Sequence, residues 1–326
     1  MLREISYDVK IKLRIKGTER EVLERINQYG SFLKRRFGSK CYKICLDGGF
    51  TCPNRDGTLG YGGCTFCSQG GSGDFAESAS LSIPDQLRLG RSQTAAKFQG
   101  GHYIAYFQAF TNTYGPIDKL RKLYTEAIEP DDIVALSIGT RPDCLPEDVL
   151  NLLEEINQVK PVFLEMGLQT CHDRTAELIH RKYPTEIFTQ AAKKCTERGI
   201  RVSAHVILNL PGESRQDMLE TIDYINGLPI SGIKLTQLYL LKSSAMAASY
   251  QEKAFPLFTQ DEYTDCLIAC LEKLRPDIVV ERMTGDAPRD MLLAPLWTVH
   301  KRAVLNEIAH KMKIRDTWQG KENFYG

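Results

Sequence analysis

The sequence predicts an α/β fold, a partial (β/α)6 TIM-like barrel with an N-terminal extension and a C-terminal α/β extension. Two patterns carry that expectation. From about residue 40, six short apolar runs of strand length recur, and helical candidates lie between them. Such alternation produces parallel β/α units with right-handed crossovers. A third observation sets the limit. The sixth run ends near residue 240, so the units are too few to close an eight-stranded barrel. A doubly wound sheet is the alternative architecture.

The strands are expected over residues 42–46, 102–108, 133–138, 162–166, 202–208 and 233–238, where the apolar runs fall. Helices are expected near 84–98, 116–128, 146–158, 173–198 and 214–227. Pro146 suits a first helical turn, and Ser214 suits an N-cap. After residue 240 the rhythm changes. Residues 242–258 read as an irregular connection, 260–274 as a helix, 277–281 as a strand and 290–314 as helical. The resulting division is a basic N-terminal extension (1–39), a core (40–240) and a C-terminal extension packed on it (241–326).

Composition excludes several classes. The chain has 326 residues, 42% of them hydrophobic and 25% charged, enough for a full core without disulfide staples. Lys plus Arg is 42 against 41 for Asp plus Glu, so the net charge of +1 makes no global claim for nucleic acid or membrane. No run approaches about 18 uncharged apolar residues, and the N-terminus lacks a signal-peptide core. The expected location is therefore cytoplasmic, with no membrane partner. Residues 1–43 nevertheless hold twelve Lys/Arg against five Asp/Glu, including Lys34, Arg35 and Arg36. That stretch is either a solvated extension or a phosphate-contacting surface.

In parallel β/α folds, chemistry gathers beyond the carboxyl ends of the strands. Those ends present Gln108 and Asn112, then Arg141, then Glu165 and Gln169, then His205 within its strand. Such a rim suits a zwitterionic ligand. Arg141 can grip a carboxylate bidentately, and Glu165 can accept from an ammonium or hydroxyl. A satisfied core histidine is an equal reading of His205.

The ten cysteines are unevenly placed, five of them between Cys41 and Cys67. Cys52, Cys64 and Cys67 lie on a loop with glycines at 57, 60, 62 and 63, which let the backbone bend around a compact inorganic centre. In a reducing compartment such clustering indicates metal or redox chemistry. Zinc competes with iron–sulfur here, since Cys41 or Cys45 would supply a fourth ligand.

The loop GGFTCPNRDGTLGYGGCTFCSQGGSGDF resembles the cluster loop of the radical S-adenosylmethionine superfamily. More narrowly, it is similar to a bacterial family related to the radical domain of the Elongator catalytic subunit. FQAFTNTY, SIGTRPD, LEMGLQT, AHVILNLPGES and ERMTGDAPRD extend the likeness over about residues 30–320. The cysteines are spaced by eleven then two residues, as in the Elongator-like branch, and not by the superfamily's commonest three then two. The usual Gly-Gly-Glu signature is absent, with Gln108 and Asn112 in its region.

The resemblance implies that Cys52, Cys64 and Cys67 bind a [4Fe-4S] cluster whose fourth iron takes S-adenosyl-L-methionine, with Cys41 and Cys45 as non-ligands. Phe66 would lie near adenine and Arg141 at the methionine carboxylate. Gln108, Glu165 and Gln169 would complete the cofactor shell, and His205 would face ribose or substrate. It implies a radical enzyme that needs no dedicated acid–base pair and an electron donor such as flavodoxin or ferredoxin. tRNA is the expected partner, with the C5 side chain of wobble uridine converted from carboxymethylaminomethyl to aminomethyl. Lys301, Arg302, Lys311, Lys313 and Arg315 would extend a basic surface, and Trp297 or Tyr61 would offer stacking. The competing expectations are radical chemistry on a small metabolite or peptide, and a zinc-bearing RNA-binding or scaffold protein.

Overall fold

The computed structural model describes residues 14–15, 18–19, 24–71, 73, 76, 78–98, 100–252 and 255–324. Most of the basic stretch before residue 24 lies outside them. Seven parallel strands form the main sheet: β1 (Cys41–Leu46), β2 (His102–Phe107), β3 (Ile133–Thr140), β4 (Val162–Gln169), β5 (Arg201–Leu208), β6 (Gly232–Gln237) and β7 (Val279–Arg282). They stand in the spatial order β7-β6-β5-β4-β3-β2-β1, every pair parallel. The intervening helices are α2 (Ile83–Thr94), α3 (Ile117–Ile128), α4 (Glu147–Val159), α5 (Asp173–Leu178) with α6 (Thr185–Glu197), and α7 (Arg215–Asn226), while α1 (Tyr29–Phe37) precedes β1.

Local chemistry accounts for the boundaries. The Ser82 side chain caps α2 by accepting from the Asp85 amide, and Ser214 opens α7 in a capping box with Asp217. Pro146 stands one residue before α4. Leu46, Phe107, Leu136, Leu164 and Ala204 are fully buried, as strands covered on both faces require.

The sheet is curled into a partial barrel. Seven flat strands would hold their edges roughly 29 Å apart at about 4.8 Å per step. Yet α1 touches both edge strands, β1 and β7, and Gln28 bridges to Val280 just before it. A single helix is only about 10–12 Å across, so the edges must approach each other.

Four expectations need correction. The tail supplies a seventh sheet strand, because β-branched Val279 and Val280 pair in parallel with Gly232 and Ile233. A Cβ at Gly232 would lie 2.2 Å from Ser203 Oγ and 2.6 Å from Glu281 Oε1, so only glycine allows that approach. The helix expected over 173–198 is broken between α5 and α6, where His180 and Lys182 adopt positive φ and Pro184 precedes α6. Residues 242–258 contain α8 (Ala245–Glu252), whose Ala- and Ser-rich sequence shows little amphipathic pattern. Residues 290–300 are not helical throughout. Leu292–Ala294 pairs antiparallel with Leu240–Leu241, and the helices of the tail are α9 (Gln260–Lys273) and α10 (Lys301–Ile314).

Candidate functional site

The loop after β1 carries the three spaced cysteines, and its fold is fixed by backbone hydrogen bonds. The Arg55 amide donates to Cys52 O at 2.8 Å, Gly63 N to Asn54 O at 2.8 Å and Cys67 N to Cys64 O at 3.0 Å. Gly63 has φ +84°, and a Cβ there would stand 2.7 Å from Arg55 Nε. The loop is pinned to the break between α5 and α6. Thr65 N donates to Ile179 O at 3.0 Å, and buried Asn54 donates through Nδ2 to His180 O at 2.6 Å. Arg181, 0% exposed, holds the other side of that break by donating to Leu168 O and Thr170 O at the end of β4.

This arrangement charges the thiols unequally. The Cys67 thiol donates to Cys64 and pushes it down to about 7, with Arg141, Asn54 and Arg55 adding to that against burial. The Asn54 amide lies 3.6 Å from Cys64 Sγ. Cys67 is raised well above its usual range as the donor of the pair. Cys52 joins them, near enough to act electrostatically on Cys67 and Arg141. On β1, burial pushes Cys41 up to about 11 and raises Cys45 as well.

Three thiols, one already driven toward thiolate, form a donor set for a thiophilic centre. Among the described residues, His172, Asp217 and Glu220 are the group whose ligand atoms all close within 4.8 Å. The three free, half-buried thiols of this loop are the donor set that an iron–sulfur cluster takes.

Arg141 follows β3 directly, 7% exposed. Its fork grips Asp143, Nε to Oδ1 at 3.0 Å and Nη2 to Oδ2 at 2.7 Å, and Nη1 donates to Arg181 O at 3.1 Å. The guanidinium lies 4.7 Å from the Tyr183 ring. Gln169 ends β4 at φ +61°, with Tyr183 Oη 3.4 Å from its Oε1. A Cβ on Gly167 would meet Gln169 Nε2 at 2.5 Å, so the glycine lets that side chain fold back. The structure thus joins Arg141, Gln169 and the cysteine loop through Tyr183 and Arg181. Phe66 packs beside the cluster of Ile207, Leu210, Leu238 and Met246. Asn112 is fully buried, donating to Phe107 O and Gly139 O, and its Oδ1 has no partner.

Glu165 is placed differently. β4 continues to Gln169, so Glu165 lies inside the barrel and not at the rim. It accepts from Lys43 Nζ at 2.5 Å, Tyr106 Oη at 2.6 Å, Ser137 Oγ at 3.1 Å and Lys234 Nζ. Burial alone would raise its pKa, but Lys234 and Lys43 hold it well below the usual carboxylate range. His205 is also interior, with Nε2 3.1 Å from Thr236 Oγ1. Burial, assisted by Lys234 and Arg282, keeps it neutral down to about 3. Gln108 lines a cavity of about 540 Å³ that opens between β1 and β7 and includes Lys43, Lys234 and Arg282.

The expected basic surface is reduced. Lys311 is held by Asp261, Asp265 and Glu307, Arg315 by Asp265, and Lys301 by Asp286. Trp297 donates to Phe258 O and packs on Tyr263, whereas Tyr61 is 84% exposed beside the cysteines. Sequence reasoning missed Asn54, Arg181, Tyr183 and the binding of Glu165 by two lysines. Arg181 carries no sequence signal, because an arginine in a break between helices reads as surface.

Residues 52–225 match the family described as the Radical SAM superfamily, and residues 230–314 match the Radical_SAM C-terminal domain. The chain is 42% identical over 298 residues to the protein YtqA of Bacillus subtilis (strain 168), covering 91% of this chain and 92% of that one. It is 21% identical over 182 residues to the tRNA uridine(34) acetyltransferase of Methanocaldococcus jannaschii, covering 55% of this chain and 32% of the other. Among solved structures it is similar to the archaeal Elp3 of Methanocaldococcus infernus, with a TM-score of 0.67 at 13% identity, over 86% of this chain and 64% of that chain. At that identity the likeness is one of fold. Among the described residues, no helix is long and apolar enough to cross a membrane.

Proposed function

The chain belongs to the radical S-adenosylmethionine superfamily, whose enzymes use a [4Fe-4S] cluster and S-adenosylmethionine, and from that premise we propose that it modifies tRNA at wobble uridine. The conversion is that of a C5 carboxymethylaminomethyl group to aminomethyl: the N–CH2 carbon would be oxidised by two electrons, with S-adenosylmethionine as the oxidant, and water would then cleave the C–N bond and release the two carbons as glyoxylate. A zinc-bearing scaffold is set aside by the family. Cys52, Cys64 and Cys67 would hold the cluster, and Arg141, Gln169, Phe66 and Gln108 would surround S-adenosylmethionine. When bound, the cluster supplies the electron that cleaves S-adenosylmethionine, and so the radical that takes hydrogen from an unreactive carbon.

The chain's own residues have separate tasks in this reading. Asn54 and Arg55 fix the cysteine loop, and Arg181 fixes the segment it rests on. Tyr183 orients Gln169 and lies against Arg141. The curled sheet encloses the interior and limits water around a reactive species.

The observation that supports tRNA most is the shared sequence with the tRNA uridine(34) acetyltransferase. Exposed Tyr61, within the cysteine loop, offers a stacking face, and Lys34, Arg35 and Arg36 are exposed on α1. The test compares modified nucleosides of total tRNA with and without the gene. Loss of aminomethyl-type wobble uridines with accumulation of the carboxymethylaminomethyl form is expected. Unchanged wobble uridines would overturn the reading and leave a small metabolite or peptide as substrate.

A further inference from the structure

The cavity between the two edge strands is built for an anion. Lys43 and Lys234 stand on its floor and share a single carboxylate, Glu165. On its β7 side Arg282 shares Asp286 with Lys301, and Lys40 lines it just before the amino end of β1. The wall's own carboxylate, Glu281, is engaged by the Ser203 hydroxyl. Five cations therefore face three carboxylates among the described residues around this space. The cations are also felt together: Lys43, Arg282 and Lys234 all act on Cys45, and Lys234 and Arg282 both act on His205. A partly enclosed space with surplus positive charge favours an anionic guest, because water screens the surplus poorly there.

We infer that this cavity receives a carboxylate of the substrate, held between Lys234 and Arg282 with Lys43 behind them. The inference rests on the tRNA reading above, in which the side chain to be shortened ends in a carboxylate. Its position suits that role. Gln108 lines the cavity at the carboxyl end of β2, the end from which the cysteine loop of neighbouring β1 departs. A group anchored on the cationic floor thus projects its attached carbons toward the cofactor end of the barrel. Lys301, exposed and paired with Asp286 beyond the carboxyl end of β7, sits where backbone phosphates of a larger substrate would pass. The floor then reads the carboxylate and the mouth reads the polyanion. Burial presses Lys234 down to about 8 against the pull of Glu165.

The test is equilibrium binding to the cluster-loaded protein with S-adenosylmethionine present. The probes are 5-carboxymethylaminomethyluridine and 5-aminomethyluridine. Wild type is expected to prefer the carboxylate form by about tenfold or more, the scale of a charge-assisted hydrogen bond. Lys234→Met is expected to bring the two affinities within about threefold, with cluster absorption and S-adenosylmethionine binding unchanged. Arg282→Gln, at a half-exposed position, provides a second variant with the same expected loss should Lys234→Met fail to fold. Equal binding of both nucleosides by wild type, or full preference retained in a folded variant, overturns the inference. The two failures are distinguishable. Wobble uridines that change with the gene while wild type shows no preference sink the cavity assignment alone. Unchanged wobble uridines sink the tRNA reading whatever the cavity binds.

Discussion

Replacing Glu165 by Gln leaves two ammonium groups facing each other inside the barrel. Glu165 is 6% exposed, and its partners Lys234 and Lys43 are 11% and 24% exposed at the side chain. Removing one member of a buried ion pair costs about 3–5 kcal/mol, because the remaining charge is uncompensated. The loss is therefore expected at 3–5 kcal/mol. The assay is urea unfolding followed by circular dichroism, on wild type and variant at matched cluster content. The sign with pH is fixed as well. The folded pKa of Glu165 is depressed, so its contribution is present above the unfolded value and is lost only as pH falls through the folded one. The gap should hold from pH 7 to about 5 and close only in stronger acid. Adding Lys234→Met should recover at least half the loss. A cost below about 1 kcal/mol, or no recovery in the double variant, would refute the network.

Other outcomes follow from the same geometry. Cys52→Ala, Cys64→Ala and Cys67→Ala should each abolish the cluster, whereas Cys45→Ala should keep about four iron and four sulfide by anaerobic metal and sulfide analysis. Gly167→Ala should displace Gln169 and weaken S-adenosylmethionine binding by on the order of tenfold to a hundredfold in equilibrium dialysis, while the circular dichroism spectrum stays unchanged. His205 is held neutral in the fold, so the unfolded chain binds the extra proton below pH 6.5. Stability should fall by about 2 kcal/mol between pH 7 and 5 from this group, and His205→Gln should remove that part of the slope in a pH series of urea midpoints.

The legible parts of this molecule were those written in local pattern. Six strands stand out because parallel strands buried on both faces are continuous apolar runs, as at Ile133–Thr140. Cys52, Cys64 and Cys67 stand out because their spacing and neighbouring glycines serve one loop. β7 was foreseen as a strand but not as part of the sheet, since pairing between residues about 47 positions apart leaves no mark in either segment. Glu165 was misplaced because β4 runs beyond its apolar centre, through Gly167 to Gln169, where polar residues resemble a loop. Lys43 and Lys234 went unassigned for a similar reason. Their partner lies across the barrel, and only the curl of the sheet brings the three together. On α10, Lys311 of the expected basic face is neutralised by Asp261 and Asp265 of α9, which no pattern within one helix reveals.

Turnover in a defined mixture tests the central claim most directly. Cluster-loaded protein, a reductant, S-adenosylmethionine and tRNA bearing carboxymethylaminomethyl wobble uridine would be combined anaerobically and the nucleosides separated. The account expects 5′-deoxyadenosine and aminomethyl wobble uridine to form together, and both to be lost in Cys64→Ala. Cleavage of S-adenosylmethionine with the tRNA unaltered would contradict it.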